Sequence, residues 1–294
     1  MSQRKTPVER ALAFVKEHGV SLELRAGEIL GRAHMFPLHN VHFADRGDGR
    51  TKVRHVDLVA ERWVADDDRN IVSWPLAIEC KYDRDPWIAY TGASHSGFPR
   101  VRLPVGSLGR DALIEAVNQI ADDQEAAFFR EPDVHAVSGL LVARERARAR
   151  PMGEARDRPE SSRPDLPAGE YTANAAMLQA TSAALALAQR SDAQLLAGSN
   201  VLRLYQPVVV LDGDLFSCRL VVDEPVLEPI PLAYVETAHP DTAGDNVLVT
   251  VITIDHLQQY ASDLVANALP FLQAITPTAR RLRGSAGRPP TTPR

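Results

Sequence analysis

Residues 76–82 place two charged side chains inside a run that otherwise has the composition of a buried β-strand. Side chains alternate between the two faces of a strand, so Glu79 and Lys81 share one face. A preceding apolar segment, residues 56–60, carries a single acid, Asp57. If the two strands pair as a hairpin across the polar turn between them, Asp57 approaches both charged side chains. Charges on an apolar sheet are costly unless they are paired or functional, so this strand pair constrains both fold and function.

The residue types on this strand pair fit a magnesium site that hydrolyses a phosphodiester. The carboxylates of Asp57 and Glu79 are hard oxygen ligands of the kind that Mg²⁺ takes, and Mn²⁺ is an alternative ion. The backbone carbonyl of Cys80, between the two charged side chains, can complete the ligand set. A bound ion would polarise the phosphodiester and activate water. Lys81 would hold that water or neutralise the developing negative charge.

Composition and charge exclude several classes of protein. The chain has 294 residues, which is long enough for a substantial core. Its net charge is −5, so binding to nucleic acid must come from a local basic surface. The two cysteines, Cys80 and Cys218, predict no disulfide framework, and the expected compartment is the cytoplasm. The apolar runs are too short to span a bilayer, so no membrane association is expected.

The N-terminal part of the chain is expected to fold as one helix followed by strands. Thr6 and Glu9 have the spacing of a capping box around Pro7, which predicts that a helix begins there. Weak alternation then predicts a strand over residues 20–30. Further strands are expected over residues 37–44, as an extension of the first or a separate strand, and at residues 52–64 and 71–82.

The rest of the chain is expected to contain a loop, two further helices and several strands. Residues 144–170 have almost no apolar side chains to bury and predict a flexible insertion. The arginine-rich tail, residues 276–294, is expected to be disordered. Outside these two segments the pattern predicts a loop over residues 83–109, helices over 111–129 and 171–190, and strands over 134–143, 202–211 and 215–222. We expect one α+β domain with a mixed sheet over residues 1–275.

The arrangement Asp57…Glu79-Cys80-Lys81, placed after a helix and at least one strand, resembles the PD-(D/E)XK nuclease superfamily, in the Ile-Glu-Cys-Lys variant of restriction-endonuclease-like proteins. The resemblance implies a core of helix, three strands, helix and strand, with Asp57 and Glu79 binding the metal and Lys81 assisting the nucleophile. It covers residues 7–143 directly, with residues 171–275 as a C-terminal elaboration. The helix at 171–190 and the strand after Tyr205 can instead supply the last helix and strand of that core.

Several side chains are candidates for additional members of the site. Many proteins of this superfamily have a glutamate in the first helix, where this chain has Glu9. A capping role explains Glu9 equally well. Glu28 and Glu23 are other candidate acids that the sequence does not rank. Gln119 is a candidate for the helix glutamine that assists some of these nucleases. Asp57 departs from the pattern because no proline precedes it.

The function expected from the sequence is Mg²⁺-dependent endonucleolytic hydrolysis of DNA in restriction, defence or repair. One alternative is a catalytically inactive nuclease fold that serves as a binding or assembly module. Another is a nuclease directed at RNA, and a homodimer or a partner subunit is open in each case. The simplest competing interpretation is a half-exposed hairpin on which Glu79 and Lys81 form an ion pair in water.

Overall fold

The computed structural model describes residues 6–17, 20–45, 52–65, 71–90, 136–137, 139–142, 168–197, 201–222, 224–238, 246–266, 273 and 276. The predicted helix over residues 111–129, the insertion up to residue 167 and the tail beyond residue 276 lie outside these ranges. None of the described helices combines the length and the apolar character needed to cross a membrane.

In the described part of the chain, two helices precede the first strand, where the sequence predicted one. α1 spans Pro7–Glu17 and α2 spans Val20–Arg32, so the prediction of a strand at the second position was wrong. The buried side chains of α2 are Leu22, Ala26 and Leu30, which recur every four residues. That spacing places them on one face of a helix, whereas in a strand they would share a face with Leu24, which is 56 % exposed, and with Glu28.

Within the described residues, eight strands form the main sheet, and their pairing is mixed. They are β1 (Phe36–Asp45), β2 (Lys52–Ala65), β3 (Ile71–Tyr82), β5 (Ala136–Val137), β7 (Val201–Arg203), β8 (Gln206–Asp212), β11 (Leu232–Ala238) and β12 (Asn246–Thr253). Their order is β1-β2-β3-β8-β12-β11-β5, and β7 also pairs with β3. The pairs β1–β2, β2–β3 and β11–β12 are antiparallel, whereas β3–β8 and β8–β12 are parallel. The expected α+β fold with a mixed sheet is confirmed.

A smaller second sheet adjoins the end of β3. Its strands are β4 (Trp87–Tyr90), β6 (Gly139–Val142), β9 (Leu215–Val221) and β10 (Glu224–Pro229), in the order β10-β9-β4-β6. β4 begins shortly after β3 ends, within the segment that the sequence predicted to be a loop. β9 and β4 are parallel neighbours. The chain passes from the main sheet into the second sheet both after β3 and after β8.

Helices cover both faces of the main sheet. On one face, α2 and the helix over residues 257–266 pack against a core that includes Leu58 and Ile78. On the other face lies α3 (Ala168–Leu196), whose alanines allow close packing against β2, β3 and β8. The sheet is therefore apolar on both sides, and a charged side chain on β3 is withdrawn from water unless it lies at an end of the sheet.

On the side away from β2, β3 pairs with β8, which places Glu79 opposite Val209 and Cys80 opposite Val210. α3, which precedes β8 in the chain, contacts both strands. β6, from the earlier candidate segment, lies in the second sheet next to β4. The helix and strand that adjoin the candidate site thus come from the second half of the chain.

Replacing Gly213 by alanine is expected to destabilise the fold. Gly213 lies in the turn between β8 and β9, and a Cβ there would be 2.5 Å from the backbone oxygen of Asp83. Relieving this clash requires backbone movement at the junction of the two sheets, at a cost of about 1–3 kcal/mol. Urea unfolding measures the loss. The matched control is Gly31→Ala on α2, where no atom of the described residues lies within 4 Å of the added Cβ and alanine should stabilise the helix.

Candidate functional site

The candidate site lies where β2 and β3 separate. Their antiparallel pairing runs from Ala65 opposite Ile71 to Leu58 opposite Ile78. Immediately beyond the last pair, Asp57 Oδ2 accepts a hydrogen bond of 2.7 Å from the backbone N–H of Cys80. A side-chain carboxylate therefore satisfies a donor of β3 that would otherwise need the backbone of β2.

Glu79 and Lys81 point to the same face of β3, as their spacing predicts. Lys81 Nζ donates a hydrogen bond of 2.6 Å to Glu79 Oε1. Glu79 is only 2 % exposed, whereas the Lys81 side chain is 29 % exposed and has access to solvent. Among the described residues, the second oxygen of Glu79, Oε2, is buried and has no hydrogen-bond partner. A buried acceptor of this kind is costly, and it is positioned to take a ligand.

Burial and a neighbouring negative charge raise the pKa of Glu79 to near neutral pH. Desolvation is the largest cause and the negative charge of Asp57 the second, and together they raise the pKa of Glu79 from its ordinary 4.5 to about 7. The charge and hydrogen bond of Lys81 act in the opposite direction. Burial, reinforced by the nearby acids, also raises the pKa of the Cys80 thiol. The thiol therefore stays protonated and unreactive at neutral pH, which leaves the Cys80 carbonyl as the candidate ligand.

A third acid, Glu23, approaches the site from the first turn of α2. Its pKa is raised by burial and then by the charge of Asp57, while His55 and Lys81 lower it. Glu28 points away and forms an exposed ion pair with Arg32. A helical reading of residues 20–32 distinguishes these acids, because Glu23 borders the buried stripe and Glu28 lies on the opposite side. With these residues predicted as a strand, the sequence did not show that Glu23 is the more buried of the two acids.

The other two candidates do not join the described site. Glu9 Oε2 accepts a hydrogen bond of 2.7 Å from the N–H of Thr6, and the Thr6 hydroxyl accepts one of 3.2 Å from the N–H of Glu9. This reciprocal pair is a capping box at the start of α1, and it accounts for Glu9 without catalysis. Gln119 lies outside the described residues.

The Cys80 carbonyl lies at the same edge of β3 as the Cys80 N–H, because both backbone groups of one strand residue face the same neighbour. Asp57, the unpartnered oxygen of Glu79 and this carbonyl form an all-oxygen set of the type that suits a hard divalent cation. Within the described ranges, no three His, Cys, Asp or Glu side chains are grouped closely enough to hold a metal ion by themselves. The fit therefore rests on two carboxylates and a backbone oxygen.

Comparisons of the chain with protein-family models, with curated proteins and with solved structures found no match.

Proposed function

We propose that the protein is a divalent-metal-dependent endonuclease that hydrolyses DNA phosphodiesters, with a restriction-endonuclease-like site. The observation that carries the proposal is that, where β2 and β3 separate, Asp57 binds the backbone of Cys80 between Glu79 and Lys81, which are hydrogen-bonded to each other. Glu79 is buried there, and one of its oxygens has no partner in the part of the chain that the structure describes, although the surrounding sheet could have been apolar throughout. A structural ion pair gains little from such a position, because burial costs a charged pair about as much as attraction returns.

Asp57, Glu79 and the Cys80 carbonyl would hold the metal ion. The ion would supply Lewis-acid chemistry, polarising the phosphodiester and making water more acidic. Lys81 is partly exposed beside Glu79, where its ammonium can orient water or neutralise charge on a phosphate oxygen. Because the pKa of Glu79 is about 7, the carboxylate must lose its proton to serve as a ligand.

The same chemistry serves DNA or RNA, and the choice of DNA rests on the resemblance of Asp57…Glu79-Cys80-Lys81 to restriction-endonuclease-like proteins. Action in the cytoplasm, and a homodimer or partner subunit that would bring two sites to a duplex, belong to the same proposal. An inactive fold that only binds a partner is the alternative, and the experiment below distinguishes it.

The test is cleavage of supercoiled DNA, linear DNA and RNA by the purified protein with Mg²⁺, with Mn²⁺ and with chelator. We expect metal-dependent cleavage of DNA that Asp57→Asn abolishes. Glu28→Gln is the matched control because it removes an acid from the exposed face of α2. Preferred cleavage of RNA would show that RNA, and not DNA, is the substrate. The absence of both cleavage and metal binding would support the inactive binding module.

Glu23→Gln is expected to lower the rate of cleavage by about ten- to a hundredfold, the effect typical of residues that support metal ligands. The negative charge of Glu23 raises the pKa of Glu79, so its removal should also move the pH midpoint of activity downward. A pH–rate profile measures both effects. Glu28→Gln should change neither, and an unchanged profile for Glu23→Gln would exclude Glu23 from the site.

A further inference from the structure

Asn40 adopts a backbone conformation that is unusual for the interior of a strand. It lies midway along β1, and its φ is 51°. Positive φ is costly for residues with a side chain, and asparagine and glycine adopt it most readily. A single left-handed residue within an extended strand interrupts the regular alternation of the chain, so the conformation of Asn40 must have a local consequence.

That residue lies directly across from the candidate metal ligand Asp57. In the antiparallel pairing of β1 with β2, His39 pairs with Leu58 and Val41 pairs with Val56. Within these two described strands, the register skips the position between those pairs, where Asn40 and Asp57 face each other. The irregularity in β1 and the acid in β2 therefore occupy the same position along the sheet.

Both strands exchange faces at this position. Val56 and Leu58 should share a face because they are two residues apart, yet Val56 packs in the cluster that contains α3 and Leu58 packs in the cluster that contains α2. β1 shows the same change. Val41 packs against the cluster that contains α3, whereas His39 faces α2. The His39 ring lies only 2.8 Å from the position that a Cβ on Gly27 of α2 would take.

The exchange of faces determines where the Asp57 carboxylate points. In a regular strand the side chain would project from one face of the sheet, into a helix or into solvent. At this irregular position Asp57 reaches sideways to β3, where Oδ2 accepts the 2.7 Å hydrogen bond from the Cys80 N–H. Irregularities in a strand next to a functional site commonly redirect a side chain in this way.

We propose that Asn40 is a positioning residue: its left-handed backbone directs the Asp57 carboxylate toward β3 and the candidate metal position. The proposal rests on the proposed function for the meaning of Asp57 as a ligand. It concerns the backbone of Asn40 and not its amide, so glycine should replace it and residues that avoid positive φ should not.

The experiment compares Asn40→Gly, Asn40→Ala and Asn40→Val in the full chain. One measurement is hydrogen exchange of the Cys80 amide by NMR, which reports the Asp57 hydrogen bond without requiring metal or activity. The other is the affinity for Mn²⁺. Asn40→Val should accelerate Cys80 exchange and weaken Mn²⁺ binding by about tenfold each, the equivalent of one lost hydrogen bond. Asn40→Ala should show a smaller change of the same kind and serves if the valine variant does not fold. Asn40→Gly should match the unmodified protein.

His34→Val is the matched control, because His34 also has a positive φ, 61°, but at the end of α2 and not beside Asp57. It should lower stability without changing either measurement. The proposal is overturned if Asn40→Val and Asn40→Ala leave Cys80 exchange unchanged, if Asn40→Gly is as impaired as Asn40→Val, or if His34→Val has the same effect. If the unmodified protein binds no Mn²⁺, the metal site fails, and Cys80 exchange still decides the role of Asn40.

Discussion

Glu79→Gln is expected to stabilise the protein at pH 8 by up to about 3 kcal/mol while abolishing cleavage. The pKa of Glu79 rises from 4.5 to about 7 on folding, chiefly because the carboxyl group is buried. At pH 8 the folded protein therefore carries an unfavourable buried charge, and each pKa unit corresponds to about 1.4 kcal/mol. Glutamine keeps the shape and removes the charge.

The same variant should remove a pH dependence of stability. Between pH 4.5 and pH 7 the folded protein binds more protons than the unfolded chain at Glu79. The contribution of this group to stability is therefore complete below pH 4.5, declines as the pH rises, and is lost above pH 7. Urea unfolding at pH 5 and pH 8 without metal measures the difference. Glu28→Gln, which removes an exposed ion pair, should leave the pH dependence of stability unchanged. If Glu79→Gln also left it unchanged, the pKa of Glu79 would not be raised on folding.

Divalent metal should make the unmodified protein more stable than Glu79→Gln at pH 8. A ligand that binds only the folded state stabilises it in proportion to the logarithm of its concentration over Kd. Mg²⁺ should therefore stabilise the unmodified protein at pH 8, where Glu79 is ionised, and have little effect on Glu79→Gln. Equal stabilisation of both proteins would show that Glu79 is not a ligand.

Lys81→Met is expected to reduce the rate of cleavage by about a hundred- to a thousandfold, the usual effect of removing a group that stabilises developing charge. Methionine retains much of the length of the side chain but lacks the ammonium group, which donates the 2.6 Å hydrogen bond to Glu79 Oε1. Because the charge and hydrogen bond of Lys81 lower the pKa of Glu79, this variant should also need a higher pH to bind metal.

Mn²⁺ titrations at several pH values separate the two roles of Lys81. The midpoint for metal binding should lie near pH 7 in the unmodified protein and higher in Lys81→Met. Lys52→Met, at an exposed position on β2, should leave the midpoint unchanged. A Lys81→Met protein that cleaves DNA at the original rate would show that the Glu79–Lys81 pair is structural.

The central strand pair could be predicted because its signals are local. Alternation and apolar composition located β2 and β3 almost to the residue. The short connection between them brings the Asp57 carboxylate to the Cys80 N–H, between the two charged residues that the hairpin hypothesis placed near Asp57. The capping spacing of Thr6 and Glu9 was equally informative, since both partners lie within one helical turn.

Features that depend on distant parts of the chain could not be predicted in this way. β3 has β8 as a parallel neighbour, and a parallel partner can come from any later strand. Glu23 joins the site only because α2 is a helix packed beside β2, whereas residues 20–30 also show weak alternation. No composition signal marks the left-handed backbone of Asn40, because asparagine is common in many other settings.

The parallel pairing of β3 with β8 has a consequence for folding on the ribosome. Cys80 pairs with Val210, so β3 emerges long before the strand that will cover its second edge. During that interval the nascent chain exposes an edge of β3, a strand that carries the apolar residues Leu76, Ala77 and Ile78. Such an edge is prone to pair with other chains. A fragment that ends near residue 143 would keep that edge permanently. We expect such a fragment to aggregate, even though it contains all three residues of the sequence motif.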